Sequence, residues 1–357
     1  MTKYNYQPKT KEELKNLIKK LIKERGNEAD LNDIDVSLIT DMSYLFCDDM
    51  HRLNGDILRL EALIRDMESM EFMVNLGEFN GNISKWNVSN VKDMQGMFSH
   101  TKFNGDISKW KVSGVESMRW MFAYSDFNGD ISKWNVSRVE DMSWMFSHSR
   151  FNGDISNWNV SNVKDMRFMF SDSRSRFDGN LSKWNVSNVK DMESMFSGSR
   201  FSGDISKWNV SRVKNMKNMF CHTKFNGDLS KWNVSNVENM GGMFKDSMFN
   251  GDISKWNVSK VKIMDGMFSY SKFNRDISKW DVSNVKDMRY MFFLSKFNSD
   301  ISKWNVSNVE DMKGMFKESE FEGYISNWDT RNVKDKTEMF FKSPLEPKKS
   351  MCIVVIM

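Results

Sequence analysis

Alanine, cysteine, histidine and long apolar runs are all scarce in this chain, and most of these scarcities exclude something. The three cysteines, Cys47, Cys221 and Cys352, do not make a disulfide framework. Cys47 and Cys221 each follow a Leu-Phe or Met-Phe pair and read as small buried residues. The four histidines are His51, His100, His148 and His222. The last three share one position in a repeat but fall in its first, third and sixth copies, too far apart for one zinc ion. Met1 to Glu13 has no apolar core of a secretory signal, so an intracellular or virion-associated protein is expected rather than a secreted one. The one apolar stretch, Met351 to Met357, is far shorter than the ~20 residues of a membrane span, so no transmembrane segment is expected. Cys352, sixth from the end, does not match a prenylation box. The three alanines, Ala29, Ala62 and Ala123, against abundant Lys and Asn, point to an AT-rich genome and carry no mechanism.

Catalytic groupings are missing too. No His/Asp/Ser or Cys/His set stands out, and no Gly-rich phosphate loop follows a strand. The many carboxylates repeat as a lattice, not as a pair set at different pKa values. The expectation is a protein that is not an enzyme and uses no cofactor or metal.

What is present is a repeat. FNGDISKWKVSGVESMRWMFAYSD, from Phe103 to Asp126, begins again at Phe127, Phe151, Phe177, Phe201, Phe225, Phe249, Phe273, Phe297 and Phe321, and has already run once from Phe79. Of the ten steps between these eleven copies, nine are 24 residues long; at Phe151 to Phe177, Ser175 and Arg176 look inserted. A fixed period in this range marks a solenoid and overrides the two-domain expectation from length. In the copy from Phe79 the apolar positions are Phe79, Ile83, Trp86, Val88, Val91, Met94, Met97 and Phe98. Ile83-x-x-Trp86-x-Val88 has leucine-rich-repeat spacing, with Trp86 and Val88 on one face of a short strand. Met94, Met97 and Phe98 fit one stripe of a helical or 3₁₀ turn, begun by Asn90 and Asp93. Asn80-Gly81 is read as a turn that uses the positive φ open to glycine. Eight buried side chains cannot offset the ordering of twenty-four backbones, so a copy is stable only against its neighbours.

The string FNGDISKWNVSNVKDMxGMF resembles the BspA-like leucine-rich repeats, in the subgroup first catalogued as a mycoplasma protein family of unknown function. The resemblance covers Phe79 to Ser343, and residues 31–46 look like the family's opening copy. Relatives occur in bacterial surface proteins and in large DNA viruses of protists. The resemblance implies an α/β solenoid, a leucine-rich-repeat-like right-handed stack of about eleven repeats with short parallel strands and short helical turns. It implies an interaction scaffold and brings no catalytic residues.

The chain divides accordingly. Residues 1–30 form an N-terminal capping helix, with a capping box at Thr10–Glu13, apolar Leu14, Leu17, Ile18, Leu21 and Ile22 at helical spacing, and Gly26 as the stop. Its Lys11, Lys15, Lys19, Lys20, Lys23 and Arg25 also suit an acidic partner or membrane surface. Residues 31–78 are degenerate repeats, with Ile34 in the Trp position and a decayed copy from Leu53 to Met70. Residues 79–343 are the array, and 344–357 a tail that adds a strand or hangs free.

Stacking turns each position into a column. The Lys column (Lys85, Lys109, Lys133 and onward) is expected to be neutralised by the Asp column three residues earlier (Asp106, Asp130 and onward). Asn87, Asn135 and their equivalents sit in glycosylation-like Asn-Val-Ser but read as a ladder of amides within strands. The position between the two Met residues varies most: Gly96, Trp120, Trp144, Phe168, Ser194, Asn218, Gly242, Gly266, Tyr290 and Gly314. Trp120, Trp144 and Phe168, with Arg119, Arg167, Tyr124 and His148, make an aromatic and arginine patch of the composition found at binding hot spots. The Trp column from Trp86 to Trp328 is expected inside, with Trp120 and Trp144 more exposed.

The leading expectation is therefore a scaffold that binds a partner protein through this lateral face. A structural component of a particle or surface layer, with self-association, is the alternative. A weak nucleic-acid binder is a further one, on a net charge of +4 and arginines among aromatics.

Overall fold

The computed structural model describes residues 4–47, 74–172 and 176–347, in two compact units, Met1–Val213 and Lys214–Met357. Among the described residues there is one α-helix, α1 (Lys11–Arg25), and one 3₁₀ turn, Leu76–Glu78. Neither the expected strand at Trp86–Val88 nor the helical turn at Met94 forms. Pairing between copies is instead reduced to isolated parallel bridges. In the first unit these run from Asp93 to Ser117, Asp141, Asp165 and Asp191. In the second they run from Asn215 to Asn239, Ile263, Asp287, Asp311 and Asp335.

The reason lies in a five-residue pattern inside each repeat, Asp or Asn, apolar, two variable residues, apolar. In the copy from Phe127 it occurs as Asp130-Ile-Ser-Lys-Trp134, Asn135-Val-Ser-Arg-Val139 and Asp141-Met-Ser-Trp-Met145. Each polar residue accepts the backbone N–H two positions on, at Ser132, Ser137 and Ser143, at 2.8–3.1 Å. The apolar pair closes a β-turn, with Trp134 N bonded to Ile131 O, Val139 N to Val136 O and Met145 N to Met142 O at 3.0–3.2 Å. A coil of the stack is thus a chain of Asx-opened β-turns, each presenting two apolar side chains inward. The aspartates expected to neutralise the lysines do feel their charge, as Asp106 does that of Lys109, but first serve this local purpose. Hydrogen bonds from Ser108, hydroxyl first and amide second, hold the Asp106 carboxyl below its ordinary range. Among the described residues no ion pair joins the Lys85 column to the Asp106 column. Asn87 and Asn135 are likewise turn openers and not an amide ladder between copies.

The amide ladder lies elsewhere. Asn104 N donates to Asn80 Oδ1, Asn128 N to Asn104 Oδ1 and Asn152 N to Asn128 Oδ1, each at 2.8 Å. The glycine that follows these asparagines is not at positive φ. A Cβ at Gly105 would meet the ring of Phe103 at 2.9 Å and Gly81 O at 3.2 Å, so close packing and not turn geometry selects glycine there.

The core is a set of aromatic columns. The eleven tryptophans of the inner column, Trp86 to Trp328 without Trp120 and Trp144, are 3–8% exposed. Within each unit the indole N–H reaches a carbonyl in the preceding coil, for example Trp134 Nε1 to Ile107 O at 3.1 Å and Trp280 Nε1 to Ile253 O at 3.1 Å. That satisfies the one polar atom of an otherwise apolar side chain, and leucine in the same place would leave the carbonyl orphaned. Phe98, Phe122 and Phe146 stack at 5.7–5.8 Å alongside.

The irregular step does not break the first unit. Phe151 and Phe177 stack at 6.3 Å and Trp184 Nε1 reaches Ile155 O at 3.0 Å. Arg176 stands directly before Phe177, the place Arg150 and Arg200 take before Phe151 and Phe201, so it is a regular residue. Ser175 lies outside the described residues. So do the decayed copy at 53–70, His51 and the tail from 348. Residues 31–47 stack straight onto the coil from Phe79, with Met42 N bonded to Asp93 O at 2.9 Å and Phe46 4.8 Å from Phe79. Helix α1 begins as expected, Thr10 accepting from Glu13 N, although Glu13 reaches Lys9 N instead of Thr10 N. It buries Leu14, Ile18, Leu21 and Ile22, ends at Gly26, and is tied to residues 31–47 by Lys11–Asp41 at 2.8 Å and Arg25–Asp33 at 3.1 Å. No helix among the described residues is long and apolar enough to cross a membrane.

Candidate functional site

Between the paired methionines the backbone alternates. In the coil from Phe127, Met145, Ser147 and Ser149 donate within the coil, to Met142, Trp144 and Phe146. Met142, Trp144, Phe146 and His148 donate to the next coil, to Asp165, Arg167, Met169 and Ser171, at 2.7–3.1 Å. With Ser143 N on Asp141, every N–H from 142 to 149 has an acceptor. This alternation turns the chain sharply and places two residues per coil in the left-handed region. The position between the methionines has φ of +53° to +62° throughout, whether it holds Gly96, Trp120, Trp144, Phe168, Ser194 or Tyr290. The position four residues on is left-handed as well, at His100, Tyr124 and His148 (φ +56° to +57°). Glycine is the natural occupant of such backbone, and Gly242, Gly266 and Gly314 take it in the second unit.

The variable position is therefore not permissive in the sense its variability suggests. Its side chain leans across the same position of the next coil. A Cβ at Gly96 would run into the ring of Tyr44, one at Gly314 into Tyr290, and one at Gly242 into Asn218. A bulky residue thus has either a small residue (glycine, or Ser194 after Phe168) or a ring to stack on in the coil that follows. In the first unit the second solution occurs. Trp120 lies 4.9 Å from Trp144 at 23°, and Trp144 lies 3.9 Å from Phe168 at 12°. Beside it runs a second ladder, His100, Tyr124 and His148, at 4.4 and 4.1 Å. Tyr124 separates the two histidines. All of these rings are half-buried, clearly more open than the inner tryptophans.

The arginines join this face unequally. Arg167 is folded back on Asp165, with Nη2 to Oδ2 at 2.7 Å and Nε to both carboxylate oxygens at 3.0–3.1 Å. That hydrogen bonding raises the Arg167 pKa, and the guanidinium is engaged in the scaffold instead of facing the rings. Arg119 is half-buried, and its Nε is enclosed without a hydrogen-bond acceptor, as is Ser143 Oγ in the neighbouring coil. His148 Nε2 lies 2.9 Å from Asp172 Oδ2. Of the seven residues singled out in the sequence, Trp120, Trp144 and Phe168 form one contiguous ladder and Tyr124 with His148 the next. No group of three metal-ligating side chains occurs among the described residues.

A concavity of about 410 Å³ was not read from the sequence. It opens in the second unit where Gly242 and Gly266 stand consecutively in the left-handed position, and Asn218, Tyr270, Tyr290 and Phe293 line it. Two successive glycines in the variable position were the available signal. Asp265 at its wall is pushed up in pKa by burial and by nearby Asp287.

Comparison with known proteins agrees with the repeat. The family model described as "Mycoplasma protein of unknown function, DUF285" matches repeatedly, over residues 13–126, 62–150, 100–203, 198–293 and 246–349. No curated protein and no solved structure matches the chain. The tandem matches leave only short terminal stretches uncovered, and the chain belongs to this DUF285 family of repeat proteins.

Proposed function

We propose that this protein is a non-enzymatic binding scaffold that takes a partner protein on the face carrying Trp120, Trp144 and Phe168. The observation behind this reading is the conformation of those residues. A non-glycine residue in the left-handed region costs about 1–2 kcal/mol, hence about 3–6 kcal/mol for the three. Two stacked ring pairs return about 1–3 kcal/mol beyond their burial. The array also contains the unstrained solution, glycine, in four coils. Large aromatics held in strained backbone are better explained by use than by the needs of the fold. Tryptophan is also the residue most enriched where binding energy concentrates.

The test begins with the partner captured by the full chain from its native host and identified by mass. Trp144→Gly keeps the left-handed backbone and removes the ring. It should weaken binding by about 2 kcal/mol, roughly thirtyfold, with little change in thermal stability. Unchanged binding together with a lowered melting temperature would show that the rings are packing alone.

A further inference from the structure

The residue directly before each repeat-opening Phe forms another surface column, in the first unit Lys102, Asp126, Arg150, Arg176 and Arg200. Some cations here are matched. Lys102 Nζ lies 2.6 Å from Glu78 Oε2, and in the second unit Lys296 Nζ lies 3.2 Å from Glu320 Oε1. Arg150 follows suit through Asp126, at 3.2 Å. Arg176 and Arg200, both exposed, have no ion pair with any described residue. Like charges on adjacent coils repel, so a run of unpaired cations leaves a local surplus of positive charge. The run of three arginines stands around a cavity.

That cavity, about 360 Å³, is lined by the three arginines with Tyr124, His148, Ser125 and Asp126. Three guanidiniums against one carboxylate leave a surplus of two positive charges. Tyr124 and His148, stacked at 4.1 Å, supply a flat apolar wall beside them. We propose that this cavity binds a phosphomonoester dianion. Such a group carries close to two negative charges at neutral pH and three acceptor oxygens, which match the surplus and the forked donors of arginine. A carboxylate would leave one charge unmatched. A nucleic-acid backbone would need a basic path leading away, and the column turns acidic at Asp126. The inference stands apart from partner docking, although Tyr124 and His148 border both surfaces.

The experiment is calorimetric titration of the full chain with inorganic phosphate, phenyl phosphate, and a tyrosine-phosphorylated peptide beside its unphosphorylated form. Saturable one-site binding of phenyl phosphate is expected, weakened at least tenfold in Arg176→Gln/Arg200→Gln and unchanged in Arg138→Gln, an exposed arginine of another column. Both substitutions are at the surface, and circular dichroism would verify the fold. A phosphopeptide more than tenfold tighter than phenyl phosphate assigns the group to a phosphorylated protein; equal affinities assign it to a small ligand. The inference is overturned by no saturable binding of any phosphate probe, or by an equal loss in Arg138→Gln. It is also overturned by a single-stranded oligonucleotide that binds more tightly than every phosphate probe through the same arginines. Trp144→Gly should leave phosphate binding intact, which separates failure here from failure of the docking reading.

Discussion

Gly96 and Trp144 occupy equivalent places on the backbone, at φ +59° and +62°, yet substitutions at the two have opposite consequences. At Gly96 a side chain meets two penalties at once, the left-handed conformation and the ring of Tyr44. Gly96→Ala should therefore cost about 2–4 kcal/mol, about 1–2 from conformation and the remainder from overpacking. Adding Tyr44→Ala should recover the overpacking part and leave the conformational part, which denaturant titration of the two variants and the pair would resolve. Independent, additive effects would mean that Tyr44 does not lean over Gly96. At Trp144 the exchange to glycine relaxes the backbone while breaking two stacked pairs, so stability should move little. The coupling also explains why the variable position swings from Gly to Trp, since each side chain is chosen with regard to the coil before it.

A single coil shows what the sequence made legible and what it hid. The period, the inward Trp column, the burial of Cys47 and Cys221 and the start of α1 followed from residue identity and spacing. They depend on apolarity, which a sequence displays directly. The strand at Trp86–Val88 was misplaced because alternation over three residues fits a turn-to-turn link as well as a strand. The Asp and Asn residues read from the letters as charge partners, amide ladders and helix starts, although their pattern of a polar residue followed by an apolar pair occurs three times per copy. The stacked Trp120, Trp144 and Phe168 were visible as neighbours, but nothing in the letters tells that their backbone is left-handed. Asp141 tests the turn account. Asp141→Ala removes the acceptor of Ser143 N and should cost about 1 kcal/mol, as loss of a capping side chain does. Asp141→Asn should be near neutral, because Asn215 and Asn239 already serve in that position. Equal losses in both variants would show that charge, not the local hydrogen bond, is what matters.

Across the molecule, 52 basic and 48 acidic residues nearly cancel, and the column after the second valine of each repeat shows how they are arranged. It mixes Lys and Glu, so that Lys164 pairs with Glu140 at 2.6 Å and Lys262 with Glu238 at 2.8 Å. Glu310 is the most heavily used member, 2.7 Å from Lys286 and 2.6 Å from Lys334. Hydrogen bonds first from Lys286 and then from Lys334 lower its pKa from 4.5 to about 2. A carboxyl lowered in the folded state stabilises the fold above its ordinary value and loses that contribution as the proton is taken up below it. Glu310 should therefore destabilise the second unit as pH falls from 4.5 towards 2, and Glu310→Gln should remove that part of the pH dependence. The side chains are exposed, so added salt should flatten the same slope. Carboxyl titration followed by NMR gives the direct measurement, with a Glu310 midpoint near 2 at low salt. A midpoint at the ordinary 4.5 would mean that the two lysines do not hold the carboxylate, and that the Lys and Glu column avoids repulsion without contributing cohesion.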